Sequence, residues 1–165
     1  MRKIVIILVA LMAGASGMAQ NLAIGERTPK IKVKNRMEGA VAQPAEFSYL
    51  GFVHSASVPC TESLAMLASV AEQTGAFNLI IFTKERASAQ TATATSLRRY
   101  AEGGRSEVHT SAEEAFTRFG VNYAPFGVIV DKKQRVLWFG DPQSLDPKRV
   151  LEILDNHNNI CRSRK

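Results

Sequence analysis

Apolar residues form two kinds of run along this chain, short continuous blocks and helically spaced stripes, and their alternation predicts a layered α/β domain. The stretch Glu46 to His54, E-F-S-Y-L-G-F-V-H, is rich in aromatic and β-branched residues and reads as a core strand. From Cys60 to Thr74 the apolar positions Leu64, Leu67 and Val70-Ala71 recur at helical spacing, and Gly75 is placed to end that helix. Asn78 to Thr83 is a continuous apolar run, the mark of a strand covered on both faces. Ala89 to Glu102 predicts a surface helix weakened by its threonines, and Ser111 with Glu114 predicts a capping box on a short helix through Phe119, ended by Gly120. Two strands follow, Phe126 to Val130 and Arg135 to Phe139, joined as a hairpin by Asp131-Lys132-Lys133-Gln134. Asp146-Pro147 supplies an N-cap and a first-turn proline for a last helix to about Asp155. Ahead of all these, Gly25 to Pro29 reads as a loop leading into a short edge strand at Ile31-Lys32-Val33. A helical crossover between strands, then a hairpin, then a covering helix gives a three-layer α/β sandwich with a mixed sheet.

The start of the chain has a different character. Met1-Arg2-Lys3 is basic, Ile4 to Met12 is apolar, and small residues lead to Gly17-Met18-Ala19, the pattern of a secretory signal peptide. The apolar run falls short of the roughly 20 residues that span a bilayer, so no stable membrane span is expected after cleavage. Cleavage after Ala19 leaves 146 of the 165 residues, enough for one domain with a proper core. The expected organisation is a signal peptide over 1–19, one domain over 20–158 and a basic flexible tail over 159–165. The expected location is secreted or periplasmic.

Charge and rare residues narrow the chemistry. The formal charge of +6 includes Arg2 and Lys3, leaving +4 after cleavage, and apart from the tail the positive residues are scattered. Neither a nucleic-acid motif nor a phosphate loop is present, so no nucleic-acid partner is expected. His54, His109 and His157 lack metal-ligand spacing, and neither a metal nor a cofactor is expected. Asp131 and Asp141 read as turn residues, and Trp138 and Phe139 as hairpin packing. The two cysteines, Cys60 and Cys161, do not make a disulfide scaffold.

The chemistry concentrates in Phe52-Val53-His54-Ser55-Ala56-Ser57-Val58-Pro59-Cys60, at the junction of the first strand and first helix. This stretch resembles the active-site turn of the thioredoxin superfamily, F-W-A-x-W-C-G-P-C, with Phe52, Pro59 and Cys60 in register and Ser57 at the first cysteine. A second segment, Val121-Asn122-Tyr123-Ala124-Pro125 running through Asp131, resembles the superfamily's G-V-x-x-x-P segment, in which the proline is cis and faces the active-site turn. Together they imply a thioredoxin-like three-layer α/β/α sandwich with a central mixed β-sheet, of the secreted TlpA-like or redoxin type, over roughly Gly25 to Leu154. The resemblance implies a substrate groove at Pro59, Ala124 and Pro125, taking a protein or peptide thiol or disulfide partner.

The departures from that pattern carry as much information. Disulfide exchange begins with a thiolate, and the Ser57 hydroxyl does not replace it. Ala56 and Val58 replace a tryptophan and a glycine, and Gly51 stands where thioredoxin carries a buried acid. Cys60, in the first turn of a helix, is pulled toward thiolate by the macrodipole and toward an inert thiol by burial. Three readings follow: a degenerate thiol-disulfide oxidoreductase with Cys60 and Ser57 as its site, a non-catalytic peptide-binding module, and an S-x-x-C peroxidase. The last lacks the proline its family would place at Val53 and the arginine it would place at Pro125. The resemblance implies a last helix running away from the active-site turn, which starts Cys161 at the opposite end, so no Cys60–Cys161 bridge within one chain is expected.

Overall fold

The computed structural model describes residues 22–32, 35–39, 42, 44–86, 92–102 and 104–162, of which 92–94 and 160–162 by their backbone alone. The expected signal peptide, Val33, the start of the helix expected at Ala89, and residues 163–165 lie outside the described residues. No helix among the described residues is long and apolar enough to cross a membrane.

Five strands form one mixed sheet: β1 (Phe47–Phe52), β2 (Phe77–Phe82), β3 (Ser106–His109), β4 (Phe126–Asp131) and β5 (Val136–Gly140), in the spatial order β3-β2-β1-β4-β5. β1 pairs parallel with β2, and β2 with β3, whereas β4 runs antiparallel to both β1 and β5. The parallel pairs require crossovers, supplied by α1 (Val58–Thr74) and α2 (Ala92–Ala101). α3 (Glu113–Phe119) precedes β4 and α4 (Pro147–Arg162) follows β5. The expected three-layer sandwich is the fold that forms.

Side-chain alternation along the strands assigns the layers. Phe47, Tyr49 and Val53 of β1 and its extension join Leu79, Ile81 and Ile129 in a core with Leu64, Leu67 and Val70 of α1, Leu97 and Tyr100 of α2, and Val150 and Leu154 of α4. Leu50, Phe52, Phe82, Val128 and Val130 face the other way, onto Phe116 and Phe119 of α3. Phe52 is the hub of that second layer, with the Phe82, Phe116 and Phe119 rings at centroid distances of 5.1–5.2 Å.

Several local expectations hold for the reasons given. Gly75 and Gly120 take left-handed backbone (φ 65° and 66°) and end α1 and α3. The Asp146 carboxylate caps α4 by accepting from the Arg149 N–H at 2.7 Å. Asp131 staples the hairpin turn, accepting from the Lys133 and Arg135 N–H groups at 2.8 and 2.9 Å and from Arg135 Nε at 2.9 Å. Burial pushes the Asp131 carboxyl up, but these bonds and the Arg135 charge outweigh it and hold it below the ordinary carboxylate value.

Four local features depart from the sequence pattern. β3 is not marked by it: S-E-V-H offers one strongly apolar residue, Val108, and only pairing with β2 makes it a strand. The capping box does not form, because Ser111 adopts φ 48° and gives its N–H to the Glu85 carbonyl, leaving Ala112 at the N-cap. No strand forms at Ile31-Lys32. The N-terminal segment instead makes single bridges, Arg27 to Arg135 and Arg36 to His109, with Pro29 unable to donate between them. α4 also continues through Arg162, beyond the expected end near Asp155.

Candidate active-site turn

Every chemically suggestive loop lies at one end of the sheet. The C-terminal ends of parallel β1, β2 and β3 meet the N-terminal end of antiparallel β4 there, and the β1–β4 register pairs Phe52 with Phe126. The Ala124–Pro125 peptide is cis, one residue ahead of Phe126. In that register Pro125 comes beside Val53, at the mouth of the β1–α1 turn. A cavity of about 180 Å³ at this end is lined by Val53, His54, Glu85, Tyr123 and Ala124 among others, so the segment before the cis-proline and the end of β1 share a wall.

The turn itself is closely specified. Val53 N–H continues the ladder to the Phe82 carbonyl at 2.9 Å, and Ser57 N–H closes a turn onto the His54 carbonyl at 3.1 Å. Ser57 is the N-cap of α1 by backbone geometry (φ −86°, ψ 118°), yet its half-buried hydroxyl makes no capping hydrogen bond. Pro59 follows in the first helical turn, where its missing N–H costs nothing. Val58, between them, is 62% exposed.

Cys60 is a free thiol with only 1% of its surface exposed, packed in the same core as Val53 and Leu64. Its sulfur accepts the His54 backbone N–H at 3.4 Å. Of Cys161, the backbone alone is described, in the last turn of α4. No group of three or more His, Cys, Asp or Glu that could hold a metal is found among the described residues.

A network that sequence reasoning missed fastens the turn to the loop after β2. The Glu85 carboxylate accepts from the Ser55 N–H (2.8 Å), the Ser55 hydroxyl (2.8 Å) and the Thr83 hydroxyl (2.9 Å), with His54 Nε2 at 3.7 Å. Burial pushes the Glu85 carboxyl up, but the Ser55 and Thr83 hydrogen bonds, aided by His54, prevail and hold it below its ordinary value. His54 Nδ1 accepts from the Ala56 N–H at 3.3 Å, which leaves Nε2 as the ring's protonated nitrogen in the neutral form. The available signal was the acid in F-T-K-E, just past the C-terminal end of a parallel strand, where α/β folds gather functional groups.

The position of Gly51 also has a structural explanation. A Cβ there would sit 2.7 Å from Tyr49 Cε1, and one at Gly127 across the ladder would collide with the far edge of the same ring. The Tyr49 side chain therefore occupies the space above both glycines, where a buried acid would otherwise project. Burial, then the nearby Cys60 and Asp141, drive its phenol far above the ordinary value, so Tyr49 stays neutral. Arg135 is tied to Asp131 at the opposite end of the six-residue β4 from Pro125, away from the turn.

No family model matches the chain, and no curated protein sequence matches it either. Solved structures do. The thioredoxin domain of a thiol-disulfide oxidoreductase from Bacteroides vulgatus superposes with a TM-score of 0.62 at 10% identity, covering 83% of this chain and 99% of that one. A thioredoxin-like protein from Parabacteroides distasonis gives 0.60 at 8% identity, covering 82% and 96%. A secreted disulfide oxidoreductase from Mycobacterium tuberculosis gives 0.52 at 15% identity, covering 67% and 81%. The chain has the thioredoxin-like fold.

Proposed function

We propose that this is an exported thioredoxin-fold protein, related to thiol-disulfide oxidoreductases, that has lost dithiol exchange and works by holding a protein or peptide partner at the cis-proline end of its sheet. The observation that carries this reading is the pairing of Ser57 at the helix entrance with a Cys60 that is 1% exposed. A dithiol cycle needs an exposed attacking thiolate and a second thiol behind it. Here the outer position offers a hydroxyl and the inner thiol is covered. Pro59, Ala124 and Pro125 are the proposed groove residues, where an extended segment would pair with the main chain ahead of β4. The signal-peptide pattern at 1–19 supports export, as does the secreted disulfide oxidoreductase among the similar structures.

The test is insulin reduction with dithiothreitol. The wild type is expected to be inactive. Ser57→Cys should gain partial activity through a disulfide between the introduced thiol and Cys60, partial because Ala56, Val58 and Gly51 remain. Reduction by the wild type that Cys60→Ser abolishes would overturn the proposal.

One observation favours a second reading, single-thiol chemistry at Cys60: the His54 N–H already points at the sulfur at 3.4 Å, as a donor to a thiolate would. Rapid labelling of native protein by iodoacetamide would favour it. Labelling only on denaturation would exclude it.

A further inference from the structure

A larger cavity, of about 710 Å³, lies beside the turn on the α3 face of the sheet. Leu22, Phe126 and Phe139 supply most of its exposed apolar surface, over the nearly buried Phe116 and Phe119, and Lys84 is the one charged residue lining it among the described residues. Lys84, Phe116 and Asn122 also line the 180 Å³ cavity, so the two hollows share a wall and Lys84 stands at their junction.

The lysine is an unusual occupant of such a wall. Its Nζ lies 4.8 Å from the Phe116 ring centroid, and no carboxylate among the described residues pairs with it. The neighbouring Glu85 is already committed to Ser55 and Thr83. An exposed cation set over an aromatic floor, with no acid among the described residues lining the larger cavity, is complementary to a small anion with an apolar body. The volume falls within the roughly 300–1,000 Å³ of small-molecule sites.

We infer that this cavity binds a small amphipathic carboxylate, its apolar body against Phe126 and Phe139 and its carboxylate on Lys84. Nothing in this site involves Cys60 or Ser57, so it goes beyond the function proposed above. Asn122 lines both hollows with Lys84, and its side-chain amide is able to donate to a carboxylate oxygen.

Titration of the ¹⁵N-labelled protein with sodium octanoate, and separately with 1-octanol, tests the inference by NMR. The amides of Gly120, Val121 and Asn122 should move with octanoate, and octanoate should bind about fivefold tighter than octanol, as one partly solvated ion pair provides. Lys84→Ala should remove that preference while leaving octanol binding unchanged, Lys84→Arg should retain it, and salt should weaken octanoate alone. Phe139→Ser, at the half-exposed rim, should weaken both ligands. Equal affinity for octanoate and octanol, an unchanged preference in Lys84→Ala, or no shifts at millimolar octanoate would overturn the inference. So would binding that appears only after residues 1–21 are removed, which would assign the cavity to the chain's own N-terminal segment. A dimer broken by Phe139→Ser and unaffected by octanoate would assign it to a second copy and overturn the inference equally.

Discussion

At Glu85 a single carboxylate accepts three hydrogen bonds that hold the β1–α1 turn, so its removal takes away three bonds at once. Glu85→Ala is therefore expected to destabilise the protein by about 1–3 kcal/mol, measured by urea denaturation at pH 7. The pH dependence has a definite sign. The folded-state value lies below the ordinary 4.5, so the unfolded chain binds the proton first as pH falls. The stabilisation is present above about pH 4.5 and is lost as pH drops through the folded value. In Glu85→Gln that acid limb should flatten, and an unchanged limb would remove Glu85 from the account. Residue chemistry at the turn was only half legible in the sequence. Ser57, Pro59 and Cys60 stood out because their spacing is local. Glu85 and Ser55 are 30 residues apart, and only the parallel pairing of β1 with β2 brings them together.

Whole elements were easier to read where a local device marked at least one end. α1, α3 and α4 were legible from glycine stops, an aspartate cap and apolar stripes, whereas β3 was hidden because its strand character comes from its neighbour. Gly51 illustrates the same limit across two strands: nothing local says that the Tyr49 ring lies over it and over Gly127. That packing predicts coupling. Gly51→Asp alone should cost about 1–3 kcal/mol by overpacking. Combined with Tyr49→Ala, which opens the space, it should cost less than the two single changes added together, and strict additivity in a double-mutant cycle would refute the shared slot. β3 carries a separate test through His109, buried against the Phe82 ring at 5.5 Å. Burial, assisted by Arg36 and opposed by Glu107, holds its value below the ordinary 6.5. The unfolded chain therefore takes up this proton first, and stability should fall as pH drops from about 6.5 through the folded value. His109→Phe should remove that slope.

Across the whole molecule, the least regular segment closes the sheet. On the β5 side, Gly25 N–H donates to the Val136 carbonyl at 2.7 Å, Thr28 N–H to the Gln134 carbonyl at 2.9 Å, and Val136 N–H to the Glu26 carbonyl at 2.8 Å. On the β3 side, Met37 N–H donates to the Val108 carbonyl at 2.8 Å, and Thr110 N–H to the Asn35 carbonyl at 2.9 Å. One stretch of chain thus covers both outer strands, and Leu22 and Ile31 pack on the α3-side core along the way. Uncovered edge strands invite pairing with other chains, and irregular cover is one of the ways proteins prevent it. Met37→Pro removes one donor on the β3 side, along with a half-buried side chain at the margin of the other core. It should cost about 1–3 kcal/mol where the Val108 carbonyl is left buried and unpaired. Hydrogen exchange then distinguishes local from global effects. In Met37→Pro the Thr110 amide should exchange faster while Val136, at the other edge, keeps its protection. Equal acceleration at both edges would mean that the segment docks as one cooperative unit, and unchanged exchange at Thr110 would mean that it does not cover β3 in solution.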